Sequence, residues 1–565
     1  MKWNEKALGK TLEIRGLSPI VSQILASRIN VDDKQFLNEF MNPSLSYLNT
    51  PDKLMNMDKG VDAVTEVINN NGKITVHADY DADGITSAVV LAKTLTVLGA
   101  DFTVWLPHRM LDGYGMSSRF VNRAIEEKPD LIITVDCGIS EGEHISQLAK
   151  AGIKVVITDH HKVGEDGIPK DAVAVIDPKQ PDEKSSFKDF AGVGVTFKFC
   201  WELCNKNKDK LKCKVSTFLK QLIPYVAIGT VADVMPLVGE NRHLVHAGIK
   251  MIKEEKVDVG ILDLIEASKI HIESLNARDI GYMIAPRINS AGRMDDPSVA
   301  FRCFFCGDRS AAGQLDMFNE SRKDASENVF KQAEQQIKNN PDDPVILVAQ
   351  EKWHEGVLGI AAGKLSEKYG RPAIVLSVTA DKAKGSGRSA GGVNLHEVVS
   401  QCAEHLGRFG GHAQALGVSL NPDKIEDFRL SLKEAYKHLN ISLEAPELSI
   451  NIDSVIQLKD ITDNLIYELA KLEPYGEANP EPIFACKSIK LADMRTMGKN
   501  SQHFSATALK EGRSSRVICF NAGNMMELVE KNLGSDFDIA FIPSHNTYNG
   551  RTSIQLMLKD IKLSK

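Results

Sequence analysis

No run of the sequence approaches the roughly 20 consecutive apolar residues that cross a bilayer, so no membrane span is expected. The opening residues Met1-Lys2-Trp3-Asn4-Glu5-Lys6 contain no apolar core, which argues against a secretory leader. A disulfide framework is missing as well. Nine cysteines are scattered from Cys137 to Cys519, odd in number and loosely spaced, and this predicts a reducing, cytoplasmic setting. Cys303-Phe304-Phe305-Cys306 is a CxxC, but no second CxxC or histidine pair lies nearby; it reads as two small residues on a buried helix. Internal repeats and long low-complexity tracts are absent. So is any cationic excess, the formal net charge being −7. That balance does not advertise a nucleic-acid binder, although a local groove can be basic inside an acidic protein.

What is present is ordinary globular material. Hydrophobic residues are 43% and charged residues 25% of 565, which allows several cores in about three or four domains. Between residues 70 and 180, short apolar runs alternate with helical patterns such as Thr86–Leu98 and Ser140–Ala149. The runs are Lys73–Val76, Phe102–Leu106, Leu131–Val135, Val155–Thr158 and Ala172–Ile176. This predicts an α/β domain: a parallel sheet with helices on both faces and a site beyond the carboxyl ends of its strands. Residues 180–300 read as mostly helical. Ala311–Asn340 is polar, with Leu315, Phe318, Val329 and Ile337 at wide spacing, and a Pro-rich breaker follows; it reads as a long connecting helix. A second α/β pattern begins near residue 344, with strand Val345–Ala349, helix Val357–Lys368 and strand Ala373–Leu376. From about residue 446 strands dominate: Leu448–Ile452, Ile483–Ala485, His503–Leu509, Arg516–Phe520 and Phe537–Ile542. They suggest a small β-barrel.

The chemistry is concentrated at strand ends. His77-Ala78-Asp79-Tyr80-Asp81-Ala82-Asp83 packs one histidine and three aspartates into seven residues directly after an apolar run. Carboxylates so placed repel one another unless cations sit among them, and oxygen and imidazole donors suit Mn²⁺ or Mg²⁺. Three further segments share this character: Val135-Asp136-Cys137-Gly138, Thr158-Asp159-His160-His161, and Gly229-Thr230-Val231-Ala232-Asp233. Any one aspartate after a strand is more simply a helix cap or turn residue. Jointly, carboxylates and imidazoles at several ends of one sheet need a common partner. Metal-assisted hydrolysis is the expected chemistry.

Asp159-His160-His161, with the other three segments in this order, resembles the signature of the DHH phosphoesterase superfamily. Asp79-Tyr80-Asp81-Ala82-Asp83-Gly84 resembles the superfamily's bacterial branch of single-strand-specific 5′→3′ DNA exonucleases. So do Arg287-Ile288-Asn289-Ser290-Ala291-Gly292-Arg293, Gly385-Ser386-Gly387-Arg388-Ser389 and Phe409-Gly410-Gly411-His412-Ala413-Gln414-Ala415. The resemblance implies an N-terminal segment (1–50), a DHH catalytic domain (51–310), the connecting helix (311–340), a DHH-associated domain (341–445) and an oligonucleotide-binding (OB)-like barrel (446–565). It implies two divalent cations, Mn²⁺ or Mg²⁺. His77, Asp81 and Asp136 would hold one; Asp83, Asp136, His160 and Asp233 would hold the other, with Asp136 shared. His161 would face the substrate phosphate, and Asp159 would orient a histidine, a part open to Asp79 also. Such a pair of ions readies water for in-line attack on phosphorus. Cys137 is expected to be inert packing.

A terminal phosphate needs Arg together with small hydroxyl and backbone donors. Pro107-His108-Arg109 before the turn Asp112-Gly113-Tyr114-Gly115, and the loop carrying Ser386 and Arg388, offer these. By resemblance, Arg109, Ser386 and Arg388 grip a 5′-phosphate from opposite sides of a cleft too narrow for duplex. Arg287, Asn289 and Arg293 lie in a segment too polar for a helix core; they either contact backbone phosphates or form a surface turn. Gly410-Gly411 would let backbone approach a nucleotide, and His412 is either a contact or a buried histidine. In the tail, residues 484–520 carry Lys487, Lys490, Arg495, Lys499, Lys510, Arg513 and Arg516 against Asp493 and Glu511. That local excess suits single-stranded nucleic acid. Phe504 and Phe520 either stack on bases or fill the barrel, the core reading being preferred.

The resemblance thus implies a cytoplasmic monomer that degrades single-stranded DNA to 5′-mononucleotides in repair and recombination, the barrel feeding the strand in. A RecQ-type helicase and a single-strand-binding protein are the implied partners. One rival is a phosphodiesterase for short oligonucleotides or cyclic dinucleotides, whose members usually lack the barrel and long helix. Another is a non-catalytic scaffold, which would be expected to have lost metal ligands; this chain keeps them all.

Overall fold

The alternation between residues 73 and 176 does build a parallel sheet, and the register of that sheet places the chemistry. The structure, a computed structural model, describes residues 1–6, 14–113, 115–164, 166–441, 449–498, 501–548 and 551–564. Tyr114, Leu448 and Lys499, named above, lie outside them. By contacts the chain forms two compact bodies. One comprises Leu48–Met235 and Ala247–Pro446; the other comprises Met1–Tyr47, Pro236–His246 and Glu447–Lys565.

Strand β1 (Lys2–Glu5) belongs to the second body. The first body opens with β2 (Lys73–Ala78), β3 (Asp101–Trp105), β4 (Leu131–Val135), β5 (Lys154–Thr158) and β6 (Ala174–Ile176), all parallel, in the order β3-β2-β4-β5-β6. Every residue of β4 is buried, as expected for a strand covered on both faces. Pairings Ala78↔Val135, Val135↔Thr158 and Thr158↔Ile176 bring four carboxyl ends level.

Helix Ala82–Val97 leaves the end of β2 and packs against helices Gly192–Lys206 and Val215–Ala232. Val215–Ala232 comes nearer to a membrane span than the sequence reading allowed: it is 18 residues long and apolar enough by composition. It contains Lys220 and Pro224, and most of it is buried inside this body. The CxxC is half as expected, with Cys303 buried and Cys306 exposed. Residues 287–293 are neither turn nor irregular. They lie in helix Ala285–Met294, whose polar side chains are absorbed by neighbours described below.

The connecting helix runs Arg309–Ile337 and buries Ala311, Leu315, Val329, Ala333 and Ile337 along one face. Asp308 caps it, accepting from Ser310 N at 3.0 Å. A five-stranded sheet follows, in the order β10-β11-β9-β8-β7, from β7 (Ile346–Glu351), β8 (Ala373–Val378), β9 (Ala383–Arg388), β10 (Arg408–His412) and β11 (Ala415–Leu420). The supposed loop around Ser386 is therefore the central strand β9. Its glycines serve close packing rather than mobility. A Cβ on Gly385 would lie 2.3 Å from the Leu376 side chain, and one on Gly387 2.9 Å from that of Leu395.

In the second body, β12 (Ser449–Ile452) pairs in parallel with β1, and β13 (Ser454–Val455) with β14 (Phe484–Met497). Strands β14, β15 (His503–Lys510), β16 (Arg513–Cys519), β18 (Arg551–Leu563) and β17 (Asp536–Tyr548) neighbour one another in that order, and β17 returns to β14, closing a five-stranded barrel. Phe484, Phe504, Phe537 and Phe541 fill it; Phe520 is 54% exposed. Val21, Ile24, Leu25 and Phe40 join the same core, so the N-terminal residues are part of this body. Arg242 is buried there, its guanidinium 3.8 Å over the Phe40 ring. It donates to the Phe40 and Leu472 carbonyls at 3.0 Å each. Burial drags its pKa down to about 10. Arg242→Met keeps the volume but strips both carbonyls of their donor. We expect a loss of about 3 kcal/mol, measured as a lower urea midpoint for this body; an unchanged midpoint would show that the guanidinium does not brace it.

Candidate metal centre and phosphate pocket

Because the strand ends are level, Asp79, Asp136 and Asp159 follow β2, β4 and β5 in one row. His77, inside β2, is fully buried; its Nδ1 lies 3.4 Å from Cys137 Sγ, and its Nε2 has no hydrogen-bond partner among the described residues. Asp136 sits in the left-handed region with φ 60°, a strained choice for a non-glycine residue. Its N–H donates to Thr158 O at 3.0 Å. Its carboxylate lies over Gly192, where a Cβ would come within 2.3 Å of Asp136 Oδ1; only glycine permits that approach.

Asp81 is the N-cap of helix Ala82–Val97, its Oδ1 accepting from Asp83 N at 2.9 Å and Gly84 N at 3.0 Å. The simple capping role is thus real, and it leaves Oδ2 over. Asp83 is buried and accepts from Gly192 N at 2.6 Å and Val193 N at 2.9 Å, a carboxylate seated on the N-terminus of helix Gly192–Lys206. Asp233 follows helix Val215–Ala232. His160 Nε2 stands 3.2 Å from Asp136 Oδ1, 3.6 Å from Asp233 Oδ2 and 3.9 Å from Asp83 Oδ2. Ligand atoms of Asp79, Asp81 and Asp136 lie within 4.8 Å of one another, as do those of Asp83, His160 and Asp233, and of Asp136, His160 and His161. Five of the six sequence-expected ligands, Asp81, Asp83, Asp136, His160 and Asp233, fall in these groups; His77 falls in none and stands against Cys137, the neighbour of Asp136.

The electrostatics of the bare cluster are adverse. Burial, then neighbouring carboxylates, push Asp79, Asp83 and Asp136 well above the usual carboxylate range, and Asp233 up to about 7. Burial lowers His77 to about 4 and His160 to about 3, so both imidazoles are neutral, as metal ligands must be. Asp159 differs. Burial opposes its charge, but the His161 ring and the Ile139 N–H outweigh it and hold its pKa low. Asp159 Oδ1 takes the His161 Nδ1 at 2.8 Å. Burial pulls His161 down, yet Asp159 wins and raises it to about 9. Among the described residues, His77 Nε2, His160 Nε2 and Asp136 Oδ1 are buried without hydrogen-bond partners. Orphaned imidazole nitrogens beside crowded carboxylate oxygens fit divalent cations of the Mn²⁺ or Mg²⁺ type.

A second, oppositely charged region adjoins. Arg109 lies 5.2 Å over the Tyr80 ring. Its loop is fixed by Asp112, which accepts from His108 N at 2.7 Å, Arg119 at 2.7 Å and the Ser117 hydroxyl at 3.1 Å. On β9, Arg388 Nη1 donates to Ser386 Oγ at 3.0 Å and Gly387 O at 2.8 Å. Burial and then the Arg109 charge lower Arg388, and likewise lower Arg293 to about 10. Buried guanidinium groups crowded around Arg109 form a ready anion site.

Two expected contacts fall elsewhere. Arg287 is buried and committed: Nε and Nη2 reach Asp316 Oδ1 at 2.9 and 2.8 Å, and Nη1 reaches Met283 O at 2.7 Å. It ties helices together. Asn289 Oδ1 accepts from Ala82 N at 2.7 Å, so it touches the acidic loop rather than the pocket. His412 is exposed at the end of β10, which rules out the buried reading. Two residues were missed. Asp177, just past β6, is buried with Oδ2 unpartnered among the described residues, and burial raises it to about 7. Lys179, whose N–H binds Asp177 Oδ1 at 2.7 Å, places its charge near His160 and Asp233. The signal was available: β6 ends beside Asp159, which donates its N–H to Ile176 O at 3.1 Å. In the barrel body, a groove of about 890 Å³ is lined by Lys459, Arg495, Arg513 and Arg516, with Asp493 as its one carboxylate.

A parallel sheet ending in an acid–histidine cluster, joined to a second sheet that presents Ser and Arg, defines a DHH phosphoesterase. Family profiles agree: the DHH family N-terminal domain matches residues 73–230, the DHHA1 domain 322–438 and the RecJ OB domain 452–560. Within that class the chain belongs to the RecJ family. It is 33% identical to the single-stranded-DNA-specific exonuclease RecJ of Bacillus subtilis, over 99% of this chain and 70% of that protein. Its identity to Escherichia coli RecJ is 30%, over 96% of each chain. The crystal structure of Thermus thermophilus RecJ in complex with Mn²⁺ superposes with TM-score 0.82 at 26% identity, covering 100% of this chain and 80% of that one. A Mg²⁺ complex of the same protein matches with TM-score 0.77.

Stripping divalent cations and restoring Mn²⁺ should raise the melting temperature, since a ligand at 100 times its Kd adds about 2.7 kcal/mol. Asp136→Asn should abolish most of that rise while leaving the metal-free protein at least as stable, because one repelling carboxylate is gone. An equal Mn²⁺-induced rise in both proteins, read by scanning fluorimetry, would contradict the assignment.

Proposed function

We propose that this chain is a metal-dependent exonuclease that degrades single-stranded DNA from the 5′ end and releases 5′-mononucleotides, in repair and recombination. The observation that carries the reading is the adjacency of a buried carboxylate–imidazole cluster with orphaned ligand atoms and a cluster of arginines. In this reading His77, Asp81 and Asp136 hold one divalent cation, and Asp83, Asp136, His160 and Asp233 hold the second. Bound cations of this kind supply Lewis acidity and lower the pKa of the attacking water.

The chain's own residues do the rest. Gly192 and Val193 N–H groups fix Asp83, and the Asp83 and Gly84 N–H groups fix Asp81, so the acids face inward without rearrangement. His161, bonded to Asp159, faces the scissile phosphate and balances charge on its non-bridging oxygens. Asp79, beside Asp81 and Asp136, supports the same cluster. Arg109, Ser386 and Arg388 grip the terminal 5′-phosphate, with Arg293 adding charge. Holding the terminus at a fixed place relative to the acids sets the cut one nucleotide in, which is why mononucleotides leave. The barrel groove, with Arg495, Arg513 and Arg516, contacts the phosphate backbone of the strand. A RecQ-type helicase and a single-strand-binding protein as partners, a monomeric state and a cytoplasmic setting complete the proposal. The barrel and the long helix speak against a dedicated short-oligonucleotide or cyclic-dinucleotide enzyme, and the retained acids against an inert scaffold.

Digestion of end-labelled single-stranded DNA tests the reading. Asp136→Ala should show no cleavage above background, and Arg388→Ala should lose its preference for a 5′-phosphate while still cutting. Arg513→Ala and Arg516→Ala should each flatten the dependence of log affinity on log salt by about one. Normal hydrolysis by Asp136→Ala, or faster turnover of two- to five-mers than of long strands, would remove the proposal.

A further inference from the structure

Three N–H groups open helix Ala82–Val97, and they belong to the acidic loop itself. Asp81 satisfies two of them, at Asp83 and Gly84, with one oxygen. It cannot reach the first, on Ala82. That N–H points instead to Asn289 Oδ1 at 2.7 Å, from helix Ala285–Met294. Ala82 is 1% exposed, so water cannot substitute for the amide. Helix Ala285–Met294 also presses directly on the loop: a Cβ on Gly292 would lie 3.0 Å from Tyr80 O. The bond therefore sits between two acids, spans 207 residues of sequence, and is made where the helix surface has no slack.

We propose that Asn289 is a positioning residue: by holding the Ala82 N–H it fixes the backbone that aims Asp81 and Asp83, and so sets the affinity for divalent cation. The inference rests on the two-cation reading above. It gives Asn289 a different part from a phosphate contact. A buried N–H without an acceptor is relieved by moving the loop, and any such movement swings both neighbouring carboxylates out of register. Outer partners that orient metal ligands typically carry 10- to 100-fold in metal affinity, and about that factor is expected here.

Titration calorimetry of Mn²⁺ into the metal-stripped full chain, without DNA, reads this directly. Asn289→Ala should bind Mn²⁺ about 10- to 100-fold more weakly, with kcat reduced, KM for single-stranded DNA unchanged, and kcat restored by raised Mn²⁺. Asn289→Asp keeps an oxygen acceptor at the same reach and adds negative charge beside the acids, so it should bind Mn²⁺ at least as tightly as wild type. Asn289→Gln, which folds with the same chemistry but displaces the acceptor, should behave like the alanine variant; it decides the matter if Asn289→Ala does not fold. Wild-type Mn²⁺ affinity in Asn289→Ala or Asn289→Gln with a raised KM would overturn the proposal and make Asn289 a substrate contact. Absence of Mn²⁺ binding by the wild type would instead fail the two-cation reading, and the inference with it.

Discussion

Crowding of like charge where water cannot screen it is the constraint around which the first body is organised. Asp79, Asp83 and Asp136 are buried together, and burial of a carboxylate is tolerated only when its oxygens are bonded or neutralised. Backbone amides do part of this. Asp81, Asp83 and Asp159 each take N–H groups from a helix start or turn, and each such bond fixes one side of a carboxyl group. What the amides leave uncompensated is the mutual repulsion that pushes Asp79, Asp83 and Asp136 well above the usual carboxylate range after burial. Next to them stand Arg109, Arg293 and Arg388, the latter two held below the usual arginine range by burial and then by the Arg109 charge. Two opposite fields thus lie side by side. On the proposed reading, a nucleic-acid terminus would be drawn to the arginines and pushed back by the bare acids, so cations at the acids would be a condition for the strand to settle.

The sheet and the acid–histidine set were legible because each element announces itself locally. An apolar run followed by aspartate is visible in sequence, and the parallel sheet aligns the ends automatically. What was not legible depends on partners far away. Arg287 reads as a surface cation until Asp316 and Met283 are placed against it. Asn289 reads as a substrate contact until Ala82 arrives at its side chain. Gly385 and Gly387 read as loop residues, because sequence does not show that Leu376 and Leu395 occupy the space a side chain would need. Asp177 and Lys179 escaped for a simpler reason: the run Ala172–Ile176 is visible, but a lone aspartate after it has no histidine or second acid beside it to set it apart from a turn residue.

Glycine and strain recur where the acids are set. Asp136 keeps a left-handed backbone, and Gly192 opposite it has no room for a Cβ. These are the costs of bringing a turn, a helix start and a strand end onto one point, and they persist because surrounding hydrogen bonds over-determine the geometry. Gly84, whose Cβ would lie 2.4 Å from Asp79 O, does the same for the neighbouring acids.

The make-up of the second body has a consequence for synthesis of the chain. Its core joins Val21, Ile24, Leu25 and Phe40 to residues that begin only at Ile456 and to barrel strands that begin only at Phe484. At ribosomal speeds of about 5–20 residues per second, those early apolar side chains emerge tens of seconds before their partners exist. During that interval the first body can complete its sheets, while the leading segment waits in the open, dependent on chaperones or on its own charge to stay unaggregated. Translation pauses anywhere before β12 lengthen the wait without touching any catalytic group.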